Sequence, residues 1–318
     1  MALSIKVTRY ANPHVFVPAV EPSLSATREW QNCLPIGIYN EYISCTPPQP
    51  ATGISPDSGF TLLSTHDPTS SEICLVAAKS PSYNCLGIFS AVPISSLDVP
   101  AHVAAIVDKL HMDGFPAAFN GDARLVDVIC AVVAKRRGPG ARIFTETEFV
   151  GAVVTPDTLS PTPLAHKILP DPAHKIRRVS YPADERHHDL LAEMHRDMLA
   201  EARGSDVPYD YSSRYVRDTV ARGDAWVYFI GDAPIASCYC GRSTRSGKSI
   251  NVVYTKKGFR RNGYAESLVG EVCRRLFEEL KYVALFFQEG SSAAGIYRRL
   301  GFGGDEEREF LQKDARVE

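Results

Sequence analysis

Apolar residues recur along the chain with two periods, and each period predicts a kind of element. Short apolar runs cover Ile73–Ala78 and Leu86–Val92, with Lys79-Ser80-Pro81 after the first, and predict two buried, paired strands. A helical period follows: Val103, Ile106, Val107 and Leu110 share one face behind Pro100. Leu125–Ala134 repeats that spacing and runs into Arg136-Arg137-Gly138, basic residues suited to a helix carboxyl end. After residue 175 the elements come in quick succession. Ile176–Tyr181 reads as a strand and Pro182–Ala202 as a helix burying Leu190, Leu191, Met194 and Met198. Gly204–Asp210 reads as a loop and Ser212–Ala221 as a shorter helix. Trp226–Ile230 and Ile235–Gly241 are strands joined by Gly231-Asp232-Ala233-Pro234, a turn of hairpin length. Ile250–Thr255 and Val283–Phe287 are further strands, each followed by a helix, the first reaching to about Lys281 and the second covering Ser291–Leu300.

The 318 residues suffice for two domains, and the two halves differ in composition. Up to Ala165 the chain holds 10 Lys/Arg, 14 Asp/Glu and 17 prolines; the rest holds 25, 23 and 5. The proline-dense stretch Thr155–Pro163 breaks helix and ladder alike, so we expect a domain of residues 1–165 and another of 166–318. Thr46–Ser58, with four prolines, reads as a loop. No internal repeat or chemistry-bearing motif marks the first half.

Composition narrows the function classes. At 44% hydrophobic and 23% charged, with a net charge of −2, the chain is an ordinary globular one with no membrane-spanning run and no signal peptide. The eight cysteines form no C-x-x-C pair, so they read as reduced core thiols of a cytoplasmic protein, and Cys238 and Cys240 are not expected to hold a metal. A second half of only +2 gives no reason to expect nucleic acid. Single histidines (His102, His111) and the pair His187-His188 read as surface residues, as do Asp206 and Asp210.

One segment points to chemistry. Lys256-Lys257-Gly258-Phe259-Arg260-Arg261-Asn262-Gly263-Tyr264-Ala265 joins a strand to a helix amino terminus. Free N–H groups there, with the helix dipole behind them, attract an anion such as a phosphate. Gly263 lets backbone approach a ligand closely, and four basic side chains surround it. It is neither a Walker loop nor G-x-G-x-x-G.

Arg260-Arg261-Asn262-Gly263-Tyr264-Ala265 resembles the [QR]-x-x-G-x-[GA] coenzyme A loop of the Gcn5-related N-acetyltransferase superfamily. Some thirty-five residues on, Tyr297-Arg298-Arg299-Leu300-Gly301-Phe302 resembles that family's second signature, Y-x-x-L-G-F. The resemblance covers residues 176–318. It implies an α/β (α+β) fold, a mixed, mostly antiparallel sheet flanked by helices, with residues 1–165 a degenerate copy by analogy of layout. It further implies acetyl-CoA or another acyl-CoA as co-substrate, no metal, and a small-molecule or peptide amine as acceptor; a homodimer stays open. Val253, Tyr254 and Thr255 would meet the pantetheine arm, and Arg260 to Ala265 the pyrophosphate. Tyr297 matches the tyrosine that protonates the leaving thiolate, and Glu289 is a candidate base. The chain departs from the family at Gly290, where Asn is common, leaving Ser291 and Ser292 to supply hydroxyls, and at Lys256-Lys257-Gly258, in place of a proline-containing turn. Three readings stay open: an N-acyltransferase, a non-catalytic acyl-CoA-binding or regulatory protein, and a cleft for another phosphate-bearing ligand.

Overall fold

The computed structural model describes residues 4–45, 59–81, 85–110, 118–160, 172–204 and 206–318. Thr46–Ser58, His111 and the expected domain boundary at 165 lie outside them. The chain divides into two compact units, the first holding residues through Gly151 together with Arg242–Arg245 and Phe310–Glu318. A linear reading of composition misses this, because the final strand pairs with a partner nearly two hundred residues earlier.

The first unit runs β1 (Lys6–Arg9), α1 (Pro13–Arg28), α2 (Cys33–Cys45), β2 (Thr61–His66), β3 (Ile73–Lys79), β4 (Cys85–Ser90), α3 (Val99–Lys109), β5 (Ala118–Asp122), α4 (Ala123–Arg137) and the start of β6 (Ile143–Val154). Its sheet has the order β1-β2-β3-β4-β5-β12, where β12 is Glu309–Val317. Neighbours are antiparallel except β4 and β5, which are parallel. Leu75, Leu86 and Ile88 of the sheet pack against Val103 and Ile106 of α3 and Leu125 and Ile129 of α4. Helix α1 was not anticipated, for Pro18 and Pro22 lie inside it; Pro13 and the Asn12 cap, accepting from Val15 N, set its start. Gly121 has φ +145°, and a Cβ there falls 2.1 Å from Ile88 O. Because that obstacle is backbone, Gly121→Ala is expected to destabilise the unit by about 2–4 kcal/mol, measured as a lower urea midpoint.

The second unit repeats the same order of elements: β7 (His174–Arg178), α5 (His188–Arg203), α6 (Tyr209–Ala221), β8 (Ala225–Ile230), β9 (Ala233–Gly241), β10 (Gly247–Thr255), α7 (Tyr264–Leu276), β11 (Tyr282–Phe287) and α8 (Ala294–Arg299). Its sheet runs β11-β10-β9-β8-β7, antiparallel throughout except for the parallel pair β10–β11. Val227, Tyr239, Val252 and Tyr254 form a core with Leu191 and Met194 of α5 and Val216 and Val220 of α6. The mixed, mostly antiparallel sheet with flanking helices is the fold class expected from the sequence.

Four local expectations fail for definable reasons. Helix α5 begins at His188, and Pro182 lies in the preceding turn. Leu190 is therefore 40% exposed, because the apolar face runs through Leu191 and Met194. His187 and His188 are buried; the His188 ring bridges Tyr181 Oη (2.5 Å) and Ser213 Oγ (2.9 Å). His102 is buried too, with Nδ1 2.8 Å from Thr65 Oγ1. Hydroxyls meet the rings of His188 and His102, and the His187 ring donates to Asp232 O at 3.2 Å; partners distant in sequence leave no local signal.

Burial holds both His102 and His188 below the ordinary histidine pKa. The unfolded chain thus takes up protons near pH ~6.5 that the folded chain refuses. Stability is fully present above that pH and is lost as pH falls toward the lowered folded values. Asp184 and Glu271, held low chiefly by Arg177 and Arg274, enter only at more acid pH. The urea midpoint is expected to be lower at pH 5.5 than at pH 7.5, and equal midpoints contradict this assignment.

Candidate acyl-CoA cleft of the second unit

β10 and β11 pair in parallel over four registers, from Gly247↔Tyr282 to Ile250↔Leu285. At the next residue β10 bulges: its pairing with β9 steps from Ile250↔Cys240 to Val252↔Tyr239, leaving Asn251 as the extra residue. Ser249 Oγ donates to Asn251 Oδ1 at 2.6 Å. Beyond the bulge, Val252–Thr255 keep β9 on one side and have no registered partner in β11 on the other. The result is a cleft between the carboxyl ends of two parallel strands, edged by β10 backbone that has no registered partner in β11. Val253, Tyr254 and Thr255, the residues expected to bind the pantetheine arm, all lie on this edge.

The turn after β10 delivers backbone donors. Arg261 (φ +65°) and Gly263 (φ +81°) both take left-handed conformations around Asn262, whose amide donates to Phe259 O and Arg260 O, each at 3.1 Å. Gly263 caps α7 without a side-chain hydrogen bond, so the first-turn N–H groups stay uncapped. Glu266, in the first turn of α7, is buried and pairs with Arg299 at 2.6 Å. Thr255 Oγ1 and Ser267 Oγ, one on each side of the turn, are buried without a hydrogen-bond partner. The uncapped amides form a donor-rich cradle that suits phosphate oxygens.

The basic side chains are less free than the sequence suggests. Arg260 donates to Thr255 O (3.0 Å) and to both oxygens of Glu201 (2.9 and 2.8 Å), and its guanidinium lies 5.3 Å from the Tyr254 ring centre. Lys257 also reaches Glu201, at 3.6 Å. The guanidinium therefore locks the turn onto α5, while Arg261 stays exposed. Tyr264 packs with Tyr228 and His174 and anchors the start of α7, and Ala265 follows it half-buried.

Tyr297 sits on α8 with Phe287 at 5.6 Å and Phe302 at 6.0 Å. It is 9% exposed, and burial, with Cys238 nearby, pushes its phenol well above the ordinary tyrosine value. Its hydroxyl makes no side-chain hydrogen bond to the described residues. Glu289 is largely exposed and paired with Arg298 at 3.2 Å, and Arg298 also binds Glu309. Gly290 takes φ +78°, and Ser291 Oγ accepts from Ala294 N (3.3 Å) at the entry to α8. Sequence reasoning missed the bulge at Asn251 and the Glu201 lock. Bulges have no compositional signature, and Glu201 lies fifty-nine residues from Arg260.

The FR47-like protein family model matches residues 235–311, a span holding β10, the cradle, α7, β11 and α8. This is the fold of the Gcn5-related N-acetyltransferases. A GCN5-related N-acetyltransferase from Sphaerobacter thermophilus superposes with a TM-score of 0.54 at 15% identity, over 98% of this chain and 95% of that one. One from Kribbella flavida gives 0.50 at 15% identity, over 76% and 86%. A GNAT-family acetyltransferase from Colwellia psychrerythraea gives 0.51 at 9% identity, over 97% and 99%. No curated protein matches the sequence. At these identities the likeness is one of fold. No helix among the described residues is long and apolar enough to cross a membrane.

Proposed function

We propose that the chain is an acyl-CoA-dependent N-acyltransferase that moves an acetyl group from acetyl-CoA to an amine by direct attack on the thioester. The observation that carries this reading is the parting of β10 and β11 at the Asn251 bulge, beside the uncapped amino terminus of α7. Acyl-CoA, when bound, supplies the activated acyl group. The backbone of Arg261–Ala265 would hold its pyrophosphate. The free edge of Val253–Thr255 would bind the amides of the pantetheine arm, and a backbone N–H near Val253 would stabilise charge growing on the thioester oxygen. Tyr297 Oη is the proton donor to the departing sulfur, since burial keeps the phenol protonated at neutral pH. The amine must attack unprotonated. Glu289, fixed on Arg298 and exposed, is poorly placed to prepare it, so a bound water facing the cleft is the better candidate base.

A second reading, a non-catalytic acyl-CoA sensor of the same fold, draws support from Gly290 and the paired Glu289. A turnover assay separates the two. The first expects free thiol from acetyl-CoA that rises with at least one member of an amine panel. The second expects coenzyme A binding with no thiol above the amine-free rate.

A further inference from the structure

The bulge that parts β10 from β11 also re-aims one side chain. Ser249 pairs with Gly241 and Val252 with Tyr239, alternate residues of β9 that share one face of the sheet. Val252 and Tyr239 pack on that face against α5 and α6. The extra residue brings Asn251 to the same face, where its Oδ1 lies 2.6 Å from the Oγ of the fully buried Ser249. Cys238, next to Tyr239 in β9, faces the other way, and Tyr297 stands near it. The proton donor to the leaving sulfur and Asn251 therefore flank the cleft from opposite faces.

Contact with Ser249 sets the orientation of the Asn251 carboxamide. A separation of 2.6 Å belongs to O–H···O and is short for N–H···O. Ser249 is thus the donor and Oδ1 the acceptor; the other acceptor open to this hydroxyl, Gly241 O, is farther away at 3.4 Å. Asn251 Nδ2 is left with two N–H groups that donate to none of the described residues. The side chain is half-buried and keeps accessible surface. It stands one residue past Ile250↔Leu285, where the pairing of β10 with β11 ends. The open end of the side chain is its donor end, which matches an oxygen lone pair and offers nothing to a further ammonium.

We propose that Asn251 is a specificity-determining contact for the acyl acceptor, an amine with a carbonyl oxygen beside its nitrogen, held by the Asn251 N–H groups on the α5–α6 face. The inference rests on the acyl-transfer reading and adds to it the face of attack and the acceptor class. In that reaction the amine nitrogen bonds the acyl carbon as the C–S bond breaks. Tyr297 gives its proton to the sulfur and regains one, through water, from the amine.

The test compares glycinamide with isobutylamine, which has the same size and branching without the carbonyl, as acceptors of acetyl from acetyl-CoA. Rates are referred to the concentration of neutral amine. The wild type is expected to favour glycinamide by at least ~10-fold in kcat/KM, the effect of a hydrogen bond that one acceptor makes and the other cannot. Asn251→Leu and Asn251→Asp both remove the donors at nearly constant size. Each should bring the ratio to within ~3-fold of unity while coenzyme A affinity stays within about twofold of wild type. A preference that survives both substitutions overturns the assignment, and so does a coenzyme A affinity that falls with them, which places Asn251 on the donor side. A wild type that takes isobutylamine as readily, or takes neither amine, overturns it too. The wider amine panel decides the acyl-transfer reading separately: thiol release with some other amine keeps that reading and removes only the acceptor class drawn from Asn251.

Discussion

Gly263→Val is expected to raise the dissociation constant for coenzyme A by at least ~30-fold with little change in folding stability. Gly263 holds φ +81° and ψ 3° at the cap of α7, a region that costs an L residue about 1–2 kcal/mol and a β-branched residue more. The turn is exposed and packs little, so the valine chain escapes by rotating the backbone rather than by unfolding the unit. That rotation turns the Arg261–Ala265 N–H groups away from a common point. Since ~1.4 kcal/mol is a factor of ten, losing two or three aligned amides amounts to the stated change. Gly263→Ala should fall between, near ~10-fold. Calorimetric titration with coenzyme A reads the affinity, and urea unfolding of the same samples reads the stability. An unchanged affinity in the valine variant removes the turn from the site.

Tyr297→Phe is expected to lower kcat by about 10²–10³-fold while leaving coenzyme A affinity within about twofold. The substitution keeps the ring that packs against Phe287 and Phe302 and deletes only Oη, which makes no side-chain hydrogen bond to the described residues. A structural role therefore predicts almost no effect on turnover, and a proton-donating role predicts a large one. Burial pushes the phenol upward, so the wild-type rate should show no alkaline fall from this group below pH ~10. A fall in kcat with unchanged affinity places the lost interaction in the transition state.

The cleft was legible in the sequence where its signal is local. The strand, basic turn and helix of residues 250–276 follow one another without interruption, and Gly263 marks the left-handed cap that the turn requires. The course of β10 into α7 could be read for that reason, and so could β11 leading into α8. What could not be read depends on non-local pairing. Glu201 reaches Arg260 only because α5 packs across β10, and the basic cluster expected to greet an anion is already partly neutralised. The bulge at Asn251 is defined by its partner strand, not by its own residues. In the first unit, α1 hides behind internal prolines, and β12 is assigned by pairing to β5, Gln312↔Asp122 onward, which no linear boundary could anticipate. Buried histidines misled for the same reason: Thr65, Tyr181 and Ser213 satisfy their rings from other elements.

The repeated order of elements in the two units gives the sequence difference between the halves a physical meaning. Each unit has one parallel strand pair whose carboxyl ends part. In the second unit the following turn is glycine-bearing, basic and uncapped. In the first, the corresponding turn is Val92-Pro93-Ile94-Ser95, and α3 is sealed by Asp98. One framework therefore presents an uncapped helix start in one copy and a carboxylate-capped one in the other.

Acyl transfer at the β10–β11 cleft would release free coenzyme A thiol, which can be followed directly. Purified wild-type chain and its Tyr297→Phe variant are mixed with acetyl-CoA and a panel of small and peptide amines, and free thiol is followed over time. Amine-dependent release by the wild type is expected, reduced at least ~100-fold in the variant. Equal release by the two proteins, or none above the amine-free rate from a wild type that binds coenzyme A, contradicts it.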